Sequence, residues 1–148
     1  THHQTRGAHT LAFHPYLNFK GTCREAFTRY HEIFGGDLNI MGAGDAPGGE
    51  TPPGWDADMV MHAALMIGDD LLMASDDPNM SGPPVGTYVH YEAKDVDDAK
   101  RVFEALADGG EVEMEIQETF WSPAFGSCTD RWGTLWLVGA PGEYELPS

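Results

Sequence analysis

Three residues with reactive or metal-binding side chains alternate along one short segment of the chain. Tyr88, His90 and Glu92 are spaced two apart, so in a β-strand they project from one face. If His14 and His62 join them, two or three histidines and a carboxylate could bind zinc or iron. Alternatively, Glu92 or His90 in an apolar cavity could act as a general acid or base, since burial favours the neutral form of a carboxyl group.

We expect a small-molecule cavity rather than a metal site at these positions. Lone histidines on strands are more often hydrogen-bonded cavity or core residues than ligands, and apolar cavities with a few polar groups are typical of small-molecule sites. A divalent metal is the alternative, and no catalytic residue can be assigned. Asp76, Asp77 and the acidic run 95–98 are expected to be solvated caps and turn residues. The residues predicted to line the pocket are His14, Tyr16, His62, Tyr88, His90, Glu92, Trp121 and Phe125.

The elements that must position these residues form a weak internal repeat. In the first half, Thr22-Cys-Arg-Glu25 is typical of a capping box at a helix start, and Gly35-Gly36 would end that helix. About 73 residues later, Asp95-Val-Asp-Asp98 and Gly109-Gly110 delimit a second helix. Apolar residues mark a buried face on each helix: Cys23, Ala26, Phe27, Tyr30 and Phe34, then Val96, Ala99, Phe103 and Leu106.

Strands are predicted on both sides of each helix. These strands cover residues 11–19, 37–41, 87–93 and 111–116. Each half then ends in a hairpin. The first hairpin turns at Gly68-Asp69-Asp70 and the second at Asp130-Arg131-Trp132-Gly133, where glycine supplies a positive φ. Both halves, residues 11–76 and 86–139, are therefore predicted to be β-α-β-β-β modules.

The remaining segments lack a regular pattern. Residues 42–58 read GAGDAPGGETPPGWDAD and are predicted to form a mobile loop, because glycine and proline dominate. The Gly-x-Gly there does not indicate a phosphate loop, since such a loop must open a helix and Thr-Pro-Pro-Gly follows instead. Residues 1–10 are predicted to be disordered or introduced by cloning, and residues 142–148 to be a tail. Residues 11–141 are therefore predicted to form a single domain.

Composition excludes two classes of partner. The 24 acidic and 8 basic residues give a formal net charge of −16, which repels nucleic-acid phosphates and anionic lipid headgroups. Apolar runs are too short to span a membrane, and Cys23 and Cys128 lack the spacing of a redox or metal motif. We expect a cytoplasmic protein that binds neither nucleic acid nor membrane.

The paired modules and their motifs resemble the vicinal oxygen chelate superfamily of glyoxalases, bleomycin-resistance proteins and extradiol dioxygenases, in particular its PhnB-like branch. The resemblance spans about residues 12–139. It implies an α+β fold in which the two modules curl into an incomplete barrel around a cavity, usually completed in a homodimer. The residues that carry it are Pro15 to Ala26, Tyr30, Phe34 to Gly36, His62-Ala63, Met73 to Asp76, Glu118 to Trp121, Phe125-Gly126 and Thr129 to Gly133.

The resemblance also allows a check of the superfamily's metal site. Catalytic members bind a divalent metal through His, Glu or Gln on four strands, and the metal acts as a Lewis acid. Aliphatic, thioether and neutral phenol groups are poor ligands for such cations. The usual metal site is therefore expected to be absent, and a metal would require a displaced His/Glu site. The corresponding positions are His14 or Pro15, Leu72 or Met73, Tyr88, and Leu137.

Three of the four tryptophans lie within residues 117–136. If Leu137 occupies a ligand position, its side chain points into the barrel. Strand alternation then turns Trp136 away from the barrel interior, into the core between the sheet and a covering helix. Trp132 belongs to the predicted turn, so a structural role is the default and a dimer contact is the alternative. These two tryptophans are therefore not expected to line the cavity.

Trp121 is the tryptophan that bears on function. It precedes Ser-Pro in the loop that enters the last hairpin, where a large side chain can reach over the cavity. We expect it to form a wall or lid, with Phe120 or Phe125 beside it.

The sequence thus predicts a homodimer that binds a small organic molecule in its barrel cavity without the usual metal. One alternative is a metal-dependent glyoxalase- or dioxygenase-type enzyme that uses a displaced His/Glu site. A second alternative is a structural or regulatory dimer.

Overall fold

A computed structural model describes residues 12–45 and 48–142, and within these ranges it forms two four-stranded sheets with a helix in each module. The predicted β-α-β-β-β order is confirmed in both halves. The first module comprises β1 (Tyr16–Phe19), α1 (Cys23–Phe34), β2 (Asp37–Gly42), β3 (Val60–Ile67) and β4 (Asp70–Asp76). The second comprises β5 (Val89–Glu92), α2 (Val96–Ala107), β6 (Glu111–Gln117), β7 (Phe125–Thr129) and β8 (Leu135–Gly139).

The two sheets have the same topology. Their strand orders are β1-β4-β3-β2 and β5-β8-β7-β6. In each sheet the first strand of the module pairs in parallel with the last, and the other neighbours are antiparallel. The sheets do not close on each other. The α+β class and the incomplete barrel are therefore confirmed.

Several segment boundaries differ from the predictions. The first strand begins at Tyr16 rather than at residue 11, which lies outside the described residues together with the predicted extension 1–10. Pro15 has no N–H to donate to a ladder, although its carbonyl accepts a hydrogen bond from Met73 N at 3.1 Å. In the predicted loop, Ala43–Asp45 forms a 3-10 turn, so the expectation of no regular structure was wrong there.

The start of α1 does not use the predicted capping box. Thr22 makes no side-chain cap hydrogen bond. Instead, Oδ1 of Asp76 at the end of β4 accepts from Gly21 N at 2.8 Å and Cys23 N at 3.0 Å, and its Oδ2 accepts from Val60 N at 2.8 Å. Asp76 is only 2% exposed, so the prediction of a solvated residue was wrong. The carboxylate replaces the local cap and joins the helix to two strands.

The start of α2 follows the prediction more closely. Asp95 caps the helix by accepting from Asp98 N at 2.8 Å. Asp98 was predicted to be solvated, but it is buried and accepts from Tyr91 Oη at 2.6 Å and an Arg101 guanidinium nitrogen at 2.9 Å. Burial alone would raise the pKa of Asp98, yet these hydrogen bonds hold it below its usual value. Arg101 also donates to Ile33 O at 3.0 Å and so links the two helices.

One core lies beneath both helices. The predicted glycine pairs follow the two helices, and Gly35, Gly36 and Gly109 have positive φ. From α1, Tyr30 and Phe34 pack on Trp136 of the second sheet, with ring centroids 5.4 and 5.6 Å apart. Trp136 is 2% exposed, which confirms its predicted place in the core. The other predicted helix-face residues are buried at Cys23, Ala26, Phe27, Ala99, Phe103 and Leu106, while Phe34 and Val96 are half-buried.

A third buried carboxylate, that of Asp130, organises the turn between β7 and β8. Asp130 accepts from Trp132 N at 2.9 Å, Thr134 N at 3.0 Å and Trp136 Nε1 at 2.9 Å, and Tyr30 Oη also donates to it. Burial and the neighbouring carboxylate raise the pKa of Tyr30 well above its usual range. Gly133 has a φ of 94°, as the predicted turn requires. The half-buried Trp132 packs against Tyr30 at 5.9 Å, and its dimer contact stays a prediction.

Both cysteines are expected to be inert in the folded protein. Cys23 and Cys128 are fully buried, and burial raises the pKa of each thiol to about 12. Because the unfolded thiols ionise near pH 8.5, stability should fall above that pH, by at most about 1.4 kcal/mol per thiol and pH unit. We expect no labelling by a thiol reagent at pH 8 without denaturant and two labels with it. Rapid native labelling would contradict the burial.

No helix within the described residues is long and apolar enough to cross a membrane.

Candidate ligand-binding groove

A groove of about 480 Å³ lies on the open face of the second sheet, defined as the face opposite α2. His90 and Glu92 reach it from β5, Trp121 from the loop before β7, and Phe125 from the first position of β7. The structure thus brings four of the eight predicted pocket residues together. The volume falls within the roughly 300–1,000 Å³ typical of small-molecule sites.

Strand alternation and one glycine shape the groove. His90 pairs with Leu137, and Glu92 pairs with Gly139. The intervening Tyr91 points to the other face, where it contacts α1. A Cβ at Gly139 would lie 2.8 Å from Cδ1 of Phe125 and 3.6 Å from Nε2 of His90. The absence of a side chain there lets both rings approach the strand backbone.

Aromatic rings form one wall of the groove. The rings of Trp121 and Phe125 meet edge to face with centroids 5.2 Å apart, and His90 lies 6.3 Å from Phe125. Trp121 is 37% exposed, so a large part of its indole faces solvent at the groove. Edge-to-face packing is a favoured arrangement of aromatic pairs and fixes the relative orientation of the two rings.

The loop that carries Trp121 is held by buried polar contacts. Ser122 is buried, and its Oγ lies 2.6 Å from Ala140 O and 2.9 Å from Ala124 O. The chain that leaves β8 also passes close by, since a Cβ at Gly142 would lie 2.2 Å from Trp121 O. The position of the indole is therefore set by contacts on both sides of the loop.

Glu92 and Tyr88 have different surroundings. The side chain of Glu92 is exposed at the groove and forms no hydrogen bond or ion pair with another described residue. Tyr88 precedes β5 and does not line the groove. Its hydroxyl donates to Glu113 at 2.9 Å, which raises the pKa of Tyr88, and Thr129 also donates to Glu113 at 3.4 Å. Tyr88, His90 and Glu92 were expected to share one strand face and one site. Only His90 and Glu92 line the groove, whereas Tyr88 contacts Glu113.

Tyr16 and His62 form a separate pair on the first sheet. Tyr16 Oη lies 3.2 Å from His62 Nδ1, and the two ring centroids are 5.8 Å apart. The pair spans β4, because β1 and β3 are both neighbours of that strand. The face of the first sheet that carries this pair is called its open face. It also carries half-buried Met73 and exposed Met66.

His14 lies at the junction of the two modules. It borders a groove of about 360 Å³ whose other side includes His90 and Glu92 of β5. His14 therefore approaches two of the predicted pocket residues, whereas His62 belongs to the other sheet. The eight predicted residues are thus divided among one main groove, the Tyr16–His62 pair, the junction at His14 and the hydrogen bond of Tyr88.

The displaced metal site considered as an alternative does not assemble among residues 12–45 and 48–142. Among the described residues, no three His, Cys, Asp or Glu side chains are placed to hold a metal ion. At the superfamily's second ligand position, Met73 rather than Leu72 lies on the open face, since Leu72 is 8% exposed against the core. Leu137 lines the main groove, as expected for the fourth position, and offers it an aliphatic group.

Sequence reasoning missed the residues that position the groove. Ser122, Gly139 and Gly142 carry no recognisable motif for binding, and their roles arise from close approach of the backbone. The available signal was a glycine at the end of an apolar strand, which often marks close packing of a side chain or backbone. Glu113 was missed because its partner Tyr88 lies 25 residues earlier.

Comparisons with known proteins place this fold in a family. The sequence-family model of the Glyoxalase/Bleomycin resistance protein/Dioxygenase superfamily matches residues 13–138. Protein YjdN of Escherichia coli is 31% identical over 137 residues, which cover 84% of this chain and 91% of YjdN. The crystal structure of PA1353 from Pseudomonas aeruginosa is 40% identical with a TM-score of 0.81, covering 89% of this chain and 98% of PA1353.

A third relative shows the fold alone. A PhnB protein from Bacillus cereus is 22% identical with a TM-score of 0.70, over 88% of this chain and 99% of the other. Together with the family match, this likeness agrees with the predicted resemblance to the superfamily. The chain belongs to the glyoxalase/bleomycin resistance protein/dioxygenase superfamily, and it shares its fold with the PhnB protein.

Proposed function

We propose that this protein binds a small organic molecule in the groove formed by His90, Glu92, Trp121 and Phe125. The observation that carries this proposal is the convergence of three segments on one concave, partly aromatic surface. A buried serine and a close backbone approach hold the aromatic wall in place. A preformed wall of this kind reduces the conformational entropy that the protein must lose when a ligand binds.

Binding is proposed to be independent of the superfamily's metal. The residues at three of its four ligand positions, Met73, Tyr88 and Leu137, offer a thioether, a phenol engaged with Glu113 and an aliphatic group. Metal analysis of protein purified without nickel tests this. Stoichiometric zinc, iron, nickel or manganese that is lost in His62→Ala or His90→Ala would contradict metal-independent binding.

A second copy of the chain is proposed to complete the cavity. The open face of the first sheet exposes Tyr16 at 47%, Met41 at 56% and Met66 at 47%. Large side chains exposed on one sheet face support the proposal of an interface there. Sedimentation equilibrium tests this, because a monomer mass throughout the micromolar range would contradict a homodimer.

Replacing Trp121 with alanine should weaken ligand binding by about tenfold or more, since the variant removes the exposed ring of the groove. Native mass spectrometry of untreated protein would first identify a co-purifying molecule, and a titration would then compare affinities. Tyr88→Phe is the matched control, because Tyr88 is an aromatic residue of the same module outside the groove. Equal affinity in Trp121→Ala and the wild type would place the ligand elsewhere.

A further inference from the structure

The groove of the proposed binding function has a distinctive combination of groups. Trp121 and Phe125 present aromatic rings, and the Glu92 carboxylate lines the same groove without a partner among the described residues. Aromatic faces carry negative electrostatic potential and attract cations within about 6 Å of the ring centroid. A carboxylate beside such rings adds a full negative charge.

The surroundings of the groove reinforce this polarity. Among the described residues that line the groove, none is lysine or arginine, and neither α1 nor α2 contributes one. An anionic ligand there would therefore lack the lysine or arginine side chains and the helix N-terminal amides that commonly bind anions. The formal net charge of −16 also raises the local concentration of cations near the protein.

We infer that the groove binds an organic cation, with an amine or ammonium group near Glu92 and an apolar body against Trp121 and Phe125. This inference rests on the proposed small-molecule function and names its ligand class. Leu137 and Gly139 supply an apolar base on which the body of the ligand can lie. His90 adds a ring beside Phe125 and a polar group at the edge of the groove.

Three probes with one aromatic body test the charge of the ligand. They are 2-phenylethylammonium, the neutral 2-phenylethanol and the anionic phenylacetate, and tryptophan fluorescence or ligand-observed NMR reports their affinities. We expect the ammonium to bind about tenfold tighter than the alcohol, and phenylacetate to bind most weakly. An alcohol that binds as tightly as the ammonium would overturn the inference but leave the small-molecule function standing. Lack of ammonium binding would also overturn it.

Two charge variants locate the effect. Glu92→Gln should reduce ammonium affinity about tenfold and leave the alcohol within about twofold, because only the charge is removed. Glu104→Gln is the matched control, since it removes the same charge from the exposed side of α2. Equal loss in both variants would indicate a general charge effect and overturn the assignment to Glu92. Unchanged melting temperatures would confirm that both variants fold.

Discussion

Asp130→Ala is expected to lower the free energy of unfolding by about 4 kcal/mol. The variant removes the acceptor for the side chains of Tyr30 and Trp136 and for two backbone amides of the turn. Each buried donor left without a partner costs about 1–3 kcal/mol, and relaxation of the turn recovers part of the sum. Urea denaturation followed by tryptophan fluorescence measures the loss.

Two further variants test the reason for this loss. Tyr30→Phe removes one of the four donors and should cost about 1–2 kcal/mol, because the carboxylate keeps its other partners. Asp108→Ala changes an exposed carboxylate that lies 3.9 Å from Arg131, and it should cost less than about 0.5 kcal/mol. A cost below about 1 kcal/mol for Asp130→Ala would show that the turn does not depend on this carboxylate.

Asp76→Ala should produce the second large loss, of about 3 kcal/mol. Its carboxylate accepts hydrogen bonds from three backbone amides, two at the start of α1 and one at the start of β3. The Asp76 side chain is buried from solvent. Charge-assisted hydrogen bonds to buried amides are stronger than neutral ones, and water cannot replace them here. Thermal and urea unfolding of the variant measure the change.

Thr22→Ala is the informative control for Asp76. If the helix used the capping box indicated by its sequence, this variant would cost about 1 kcal/mol. Since Thr22 makes no cap hydrogen bond, we expect a loss of less than about 0.5 kcal/mol. A larger loss from Thr22→Ala than from Asp76→Ala would reverse the assignment of the cap.

The contrast between these two caps shows what local sequence can predict. Asp95 and Asp98 are three residues apart, so their cap was visible as a motif and is confirmed. The carboxylate of Asp76 reaches amides 53 and 55 residues away, and no local pattern encodes that contact. The order of helices and strands along the chain and the core position of Trp136 were predictable because periodicity reflects burial.

The candidate site was predictable to a similar extent. Alternation placed His90 and Glu92 on one face, and the position of Trp121 in a loop suggested a wall. Alternation gives the face of a strand but does not give the distance between two sheets. For that reason His62 was grouped with His90, although it pairs with Tyr16 on the first sheet. Whether these residues bind one ligand stays a prediction.

The position of α1 has a consequence for folding. Tyr30 and Phe34 pack on the second sheet, and Arg101 of α2 donates to the last turn of α1. A fragment ending near residue 76 would therefore expose these aromatic rings to water. Although the two halves look like copies in sequence, we expect neither to fold alone and the whole chain to unfold in one cooperative transition.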